Sequence, residues 1–229
     1  MQMLKDKQCL VLGAAGGIGQ HVTLTMAAAG CNLTLTDQSG KALDDVVRLV
    51  KESQEVEVDC VACDLNKQTA LELTVDVIGR LAPPDIIINC AGVFDPDNED
   101  YDLFMNVNLR AAWMFAEVFL PGMVRHGYGV MVNIGSSSAY EGYPNTPLYC
   151  ASKHALLGLS RALHKKYAGT GVRVICISPD AVDTPMGARI PGQDPSKFLS
   201  PAYVADAVRN IICNSGMELP EVRLRRSRG

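Results

Sequence analysis

No run of apolar residues in this chain approaches the ~20 that a helix needs to cross a bilayer, which excludes a helical membrane protein. There is no surplus of positive charge either. The 21 lysines and arginines face 25 aspartates and glutamates, for a formal net charge of −4. Nucleic-acid modules draw much of their affinity from neutralised phosphates, so this balance argues against one. No Pro-, Gly- or Ser-rich linker and no internal repeat divides the 229 residues, which therefore read as one domain, 1–229. The four histidines, His21, His126, His154 and His164, show no metal-ligand spacing. Eight cysteines are present, but only Cys60 and Cys63 form a C-x-x-C pair. In an extended run those two point to opposite faces, and no second pair completes a metal site. The N-terminal segment lacks the long apolar stretch and cleavage site of a signal peptide. The expectation is a soluble, cytoplasmic protein whose core is large enough to need no disulfide or metal.

The chain does contain a regular alternation. Short apolar, β-branched runs at 8–12, 33–36, 56–63, 86–90, 130–134 and 172–177 are separated by helical periodicity at 18–29, 41–51, 67–81, 101–126 and 148–168. A last helix at 201–214 precedes a candidate strand at 220–224. Near-continuous apolar strands between helices mean a parallel sheet covered on both faces. The expected fold is α/β, a Rossmann-type doubly wound sheet of about seven strands.

In such a sheet the loops at the carboxyl ends of the strands carry the chemistry. The first loop holds Gly13, Gly16, Gly17 and Gly19, straight after a strand and opening a helix. Glycines let the backbone approach a pyrophosphate, and the helix N-terminus attracts its charge. The spacing fits both G-x-x-x-G-x-G and G-x-x-G-x-x-G. The second strand ends at Asp37, whose carboxylate can accept both ribose hydroxyls of an adenosine and repels a 2′-phosphate, favouring NAD over NADP. Asp64 closes the third strand, placed either to meet an adenine amino group or to cap the next helix. Further on, Tyr149 and Lys153 share one helix face at i, i+4, and Ser136 ends a strand thirteen residues before Tyr149. An ammonium beside a phenol favours phenolate, which suits acid–base work.

With these motifs in order, the chain resembles the short-chain dehydrogenase/reductase family from about residue 7 to 186. The glycine loop, Asp64-Leu65, Asn89-Cys-Ala91-Gly92, Asn106-Val-Asn108, Ser136, Tyr149-x-x-x-Lys153 and the run from Pro179 to Met186 carry the resemblance. It implies a catalytic tetrad of Asn108, Ser136, Tyr149 and Lys153. Tyr149 would be the acid–base, and Ser136 would polarise the carbonyl. Lys153 would lower the Tyr149 pKa and bind the nicotinamide ribose, and Asn108 would hold a water linking Lys153 to solvent. Implied cofactor contacts are Gly13, Gly17, Ile18, Gly19, Asp37, Asp64, Leu65, Asn89, Ala91, Gly92, Tyr149, Lys153, Pro179, Val182 and Thr184. The implied activity is hydride transfer between NAD (NADP as the lesser choice) and a secondary alcohol or ketone. Competing readings are an idle NAD-binding subunit, which usually lacks the tyrosine or lysine, and a nucleotide-sugar epimerase, for which the C-terminal stretch is short.

Three positions depart from the family pattern. Leu12 replaces a threonine that braces the glycine loop, and Cys90 replaces the second asparagine of N-N-A-G, weakening a cross-strand hydrogen bond. Asp180 replaces a glycine, where it would disfavour anionic substrates or point to solvent. Phe94, Tyr140, Tyr143, Met186 and a lid at 187–200 are expected to wall the substrate pocket. The arginine-rich tail, 223–229, reads as a solvated, frayed end. Helices 101–126 and 148–168 are apolar beyond one stripe and so need a second partner. In the family that the chain resembles these two helices pair across a two-fold axis, which implies a homotetramer, or failing that a dimer.

Overall fold

A computed structural model describes residues 4–98, 100–214, 216 and 218–226. Seven parallel strands form one sheet: β1 (Gln8–Leu12), β2 (Asn32–Asp37), β3 (Val58–Ala62), β4 (Ile86–Asn89), β5 (Gly129–Ile134), β6 (Val172–Pro179) and β7 (Glu221–Leu224). Their spatial order is β3-β2-β1-β4-β5-β6-β7. The direction of winding reverses between β1 and β4, and a crevice opens there beyond the carboxyl ends of the strands.

Alternation along the strands assigns their side chains to the two faces. Val11, Ile86, Ile88, Val130 and Val132 pack with Val22 and Met26 of α1 (Gly17–Ala28), Leu43 and Val46 of α2 (Gly40–Ser53), and Val208 of α7 (Pro201–Cys213). Leu10, Leu12, Ile87 and Met131 turn the other way. They meet Leu71 and Ile78 of α3 (Gln68–Arg80), Phe115 and Phe119 of α5 (Ala111–His126), and Leu156 and Leu163 of α6 (Pro147–Lys166). Each fully buried aliphatic or aromatic side chain contributes roughly 1.5–3 kcal/mol. The second layer of helices therefore stabilises the sheet as much as the first.

Two elements differ from the sequence expectation. The helix expected at 101–126 is three pieces: α4 (Tyr101–Met105), a π turn at Asn106–Arg110, and α5. A π turn inserts one extra residue, which periodicity alone does not signal. Strand β3 is shorter than expected and lies at the sheet edge, with Cys60 exposed and Cys63 buried beyond its end. Among the described residues no group of three or more acidic, cysteine or histidine side chains could hold a metal, and no helix is long and apolar enough to cross a membrane.

Candidate active site

The site is built from loops at the carboxyl ends of the strands. After β1 the chain turns at Gly13, whose φ is +70°, with a Cβ position only 2.8 Å from Ala91 Cα. Only glycine fits that turn without strain. Gly17 faces Thr184 closely enough that a Cβ would lie 2.5 Å from the threonine methyl. No threonine hydroxyl braces this loop, because Leu12 is fully buried in the core. The end of β2 does the bracing. Gly13 and Ala14 donate to Thr36 O at 2.8 and 3.1 Å, and Ala15 N donates to Asp37 Oδ2 at 3.0 Å. The other Asp37 oxygen accepts Gln38 N at 2.8 Å.

Asp64 lies on the cleft wall, where its carboxylate accepts Asn66 N at 3.1 Å and stands 3.6 Å from Lys67 Nζ. It does not cap α3, whose N-cap is Lys67. The cross-strand bond expected to weaken at Cys90 is made one residue earlier: Asn89 Nδ2 donates to Asn133 Oδ1 at 3.2 Å. Asn89 Oδ1 also accepts Ala91 N at 3.2 Å. Asn89 is thus a buried brace beneath the cleft and does not line it.

The reacting groups converge at the ends of β4 and β5. Proline at the first position of α6 starts the helix that carries Tyr149 and Lys153. Lys153 Nζ donates to Ile134 O at 3.2 Å and stands 5.8 Å from the Tyr149 ring centroid. The ring is held edge-on by Phe94 and Phe104, at 4.9 and 6.3 Å between centroids. Ser136 hydrogen-bonds the phenol, and its Oγ accepts Ser138 N at 3.1 Å. Burial moves the two ionisable groups in opposite directions. The phenol is pushed up to about 12, the Ser136 hydrogen bond opposing this, and the ammonium is pulled down to about 8. The resemblance implies a tyrosine lowered by Lys153; in this structure desolvation by the surrounding protein is the larger effect, on a half-buried phenol at the cleft wall and a buried ammonium.

Asn108 sits in the π turn, wholly buried. Its Oδ1 accepts Val93 N at 2.8 Å, and its Nδ2 donates to Val93 O and Ser152 Oγ at 3.2 and 3.0 Å. The amide is engaged with protein and does not line the cleft; it fixes the Gly92-Val93 backbone beside Lys153. The remaining implied contacts, Gly13, Gly17, Ile18, Gly19, Asp37, Leu65, Ala91, Gly92, Pro179, Val182 and Thr184, all line one cleft of about 550 Å³ with Ser136, Tyr149 and Lys153. Thr184 also accepts Gly187 N at 3.0 Å, capping the turn that opens the lid. The lid is tied across the cleft by Arg189, which donates to Asp95 Oδ1 at 2.7 Å.

A charged lining residue escaped the sequence reading. Arg226 reaches the cleft, and its backbone N–H donates to Asp180 Oδ2 at 3.1 Å. The tail is not frayed as far as this residue. Leu224 O accepts Asp180 N at 2.8 Å, and Arg223 stacks 3.3 Å from the Tyr140 ring centroid. Glu221 is bound by Arg161 through Nε and Nη2. Residues 227–229 lie outside the described residues. No local pattern announces a contact made 46 residues away in sequence.

A parallel sheet with a glycine loop on its first strand, and a Ser–Tyr–Lys group over its fourth and fifth, defines a nucleotide-binding oxidoreductase. The family model for short chain dehydrogenases matches residues 7–194, and the chain belongs to that family. It is 31% identical over 220 residues to an uncharacterized oxidoreductase of Staphylococcus saprophyticus, covering 90% of this chain and 91% of that one. It is 30% identical over 197 residues to a 3-oxoacyl-(acyl-carrier-protein) reductase of Thermotoga maritima, covering 82% and 79%. Among solved structures, levodione reductase superposes with a TM-score of 0.87 at 24% identity over 96% of each chain. An actinorhodin polyketide ketoreductase determined with NADPH gives 0.84 at 25%, over 98% of this chain and 97% of that one.

Proposed function

We propose that this chain is an NAD-dependent dehydrogenase/ketoreductase that moves hydride between the nicotinamide and a secondary alcohol or ketone. The observation that carries the reading is half-buried Tyr149 paired with buried Lys153, with Ser136 bonded to the phenol at the wall of the cleft. An idle subunit has no use for a desolvated ammonium beside a phenol, which costs stability to maintain.

The residues present fit a dinucleotide. The glycine loop leaves no room for side chains at Gly13 and Gly17, and its backbone at the start of α1 suits a pyrophosphate. Asp37 supplies a carboxylate at the adenosine end and Lys153 an ammonium at the nicotinamide end. When bound, the nicotinamide supplies or accepts the hydride. Tyr149 gives the substrate oxygen a proton in reduction and takes it back in oxidation, while Ser136 Oγ holds that oxygen. Lys153 stabilises the transient phenolate, and Asn108 keeps Gly92 and Val93 in place beside it. Phe94, Tyr143, Met186 and Ile190 give the cleft an apolar wall for the substrate's carbon skeleton.

The NAD preference rests on Asp37, because a 2′-phosphate there would meet a carboxylate. The ketoreductase relative determined with NADPH makes the comparison direct. The test is a panel of secondary alcohols and ketones followed at the NADH absorbance band. Turnover of none of them with either cofactor would overturn the reading. For assembly, a homotetramer, or failing that a dimer, rests on Trp113 and Val118, which remain 41% and 50% exposed on α5. The other apolar residues of α5 and α6 largely serve the chain's own core. A monomeric mass at micromolar concentration would refute that assembly.

A further inference from the structure

The tail reaches the cleft by a route that the fold holds firmly. Strand β7 pairs in parallel with β6, and the backbone of Asp180 continues that pairing by donating to Leu224 O. The Asp180 side chain then accepts the N–H of Arg226. These two bonds, with Arg223 stacked on Tyr140, deliver the Arg226 side chain to the cleft wall. Its Nε stands 4.0 Å from Asp180 Oδ2, and Phe198 flanks the guanidinium at 5.9 Å. Among the described residues the guanidinium donates no hydrogen bond, so its two Nη groups keep their donors.

The charges around the cleft are sorted along its length. Asp37 and Asp64 lie at the ends of β2 and β3, while Lys153, Asp180 and Arg226 lie toward β5 and β6. Four inter-strand steps separate β2 from β6, roughly 19 Å. Arg226 is therefore too far from the adenosine end to serve a 2′-phosphate. Arg189, the other arginine near the lid, is already engaged by Asp95 and Phe94 O.

We propose that Arg226, held in place by Asp180, is a specificity residue that binds a carboxylate carried by the substrate, making oxo acids or hydroxy acids the preferred class. Arginine's planar fork suits this, because one edge faces Asp180 while the Nη end can receive a carboxylate end-on. The inference reverses the expectation that Asp180 repels anions: its carboxylate is spent on the tail that brings in a cation. It deepens the dehydrogenase reading and rests on it.

The test uses the full chain with NADH and a chain-length series of oxo acids, from 3-oxobutanoate to 6-oxoheptanoate, each paired with its methyl ester. Arg226→Ala and Arg226→Gln lie at an accessible end of the chain, and unchanged melting temperatures will show that they fold. For the best oxo acid, both variants should lower kcat/KM by about 10–100-fold, through KM, with the matching ester within twofold. Equal losses on acid and ester, or no loss on the acid, would overturn the proposal. Calorimetric titration of the same oxo acids in the presence of NADH separates the two readings. Binding that Arg226→Ala abolishes, without turnover of any ketone, would keep the carboxylate site and sink the dehydrogenase reading. Esters reduced while no acid binds would do the reverse.

Discussion

The Lys153 ammonium stands 5.8 Å from the centroid of the Tyr149 ring, and burial drives the two pKa values apart, the ammonium down to about 8 and the phenol up to about 12. The phenol is therefore neutral at physiological pH and ready to donate. Ketone reduction should hold level below about pH 8 and decline above it, as Lys153 loses the charge that stabilises the phenolate left behind. Alcohol oxidation needs the phenolate and should climb with pH. Initial rates in both directions from pH 6 to 10 check this. Parallel profiles in the two directions would remove Tyr149 from proton transfer.

Tyr149→Phe keeps the edge contacts with Phe94 and Phe104 and deletes only the hydroxyl. Turnover should fall by about 10² or more, with stability changed by no more than about 1 kcal/mol. Single-turnover rates and denaturant unfolding together separate loss of chemistry from loss of fold.

Lys153 is a stability cost as well as a functional group. Its folded pKa of about 8 lies below the ordinary value of 10.5, so the unfolded chain binds the extra proton between those values. Stability then rises with pH across that window and is lowest below it. Lys153→Met removes the buried charge and should stabilise the free protein at pH 7. The shift corresponds to about 3 kcal/mol, less about 1 kcal/mol for the lost hydrogen bond to Ile134 O. The gain should shrink between pH 8 and 10.5. Urea unfolding at pH 7 and pH 10 measures it.

Asp37 braces Ala15 N, and the proposed NAD preference gives it a second task, repelling a 2′-phosphate. Asp37→Asn keeps an oxygen for the brace and removes the charge, so the two can be told apart. Wild type should prefer NAD by about a hundredfold, and Asp37→Asn should lose most of that preference without losing NAD turnover. Gln38→Arg, added to it, should turn the preference toward NADP, since a guanidinium pairs well with phosphate. The measurement is kcat/KM with each cofactor. Equal use of both by the wild type would show that Asp37 serves only the loop.

Gly19→Ala places a methyl against the Gly13 carbonyl oxygen, a backbone atom that cannot move aside. The loop must distort, at a cost of about 1–3 kcal/mol. NADH binding, followed by fluorescence, should be lost before the fold is. Retained affinity would show that the loop bends without consequence.

The sequence by itself determined the number and order of the strands, the glycine turn, Asp37 at the end of β2 and the pairing of Tyr149 with Lys153. These depend on patterns a few residues long: strand alternation, helical spacing and the steric demands of glycine. That both faces of the sheet are covered was equally legible, because near-continuous apolar strands alternate with helices. Tertiary structure decided the rest. Asn108 was expected in a continuous helix, yet a π turn aims it at Val93 and Ser152. The bond by which Asn89 ties β4 to β5 was not foreseen at that residue. The direction of the Tyr149 shift depends on how much protein surrounds the phenol, a sum over segments far apart in the chain. The arginine tail reads as a solvated end in isolation, and only the pairing of β7 with β6 brings Arg226 to Asp180 at the cleft. Burial and long-range proximity are properties of the packed chain, and no local spacing encodes them.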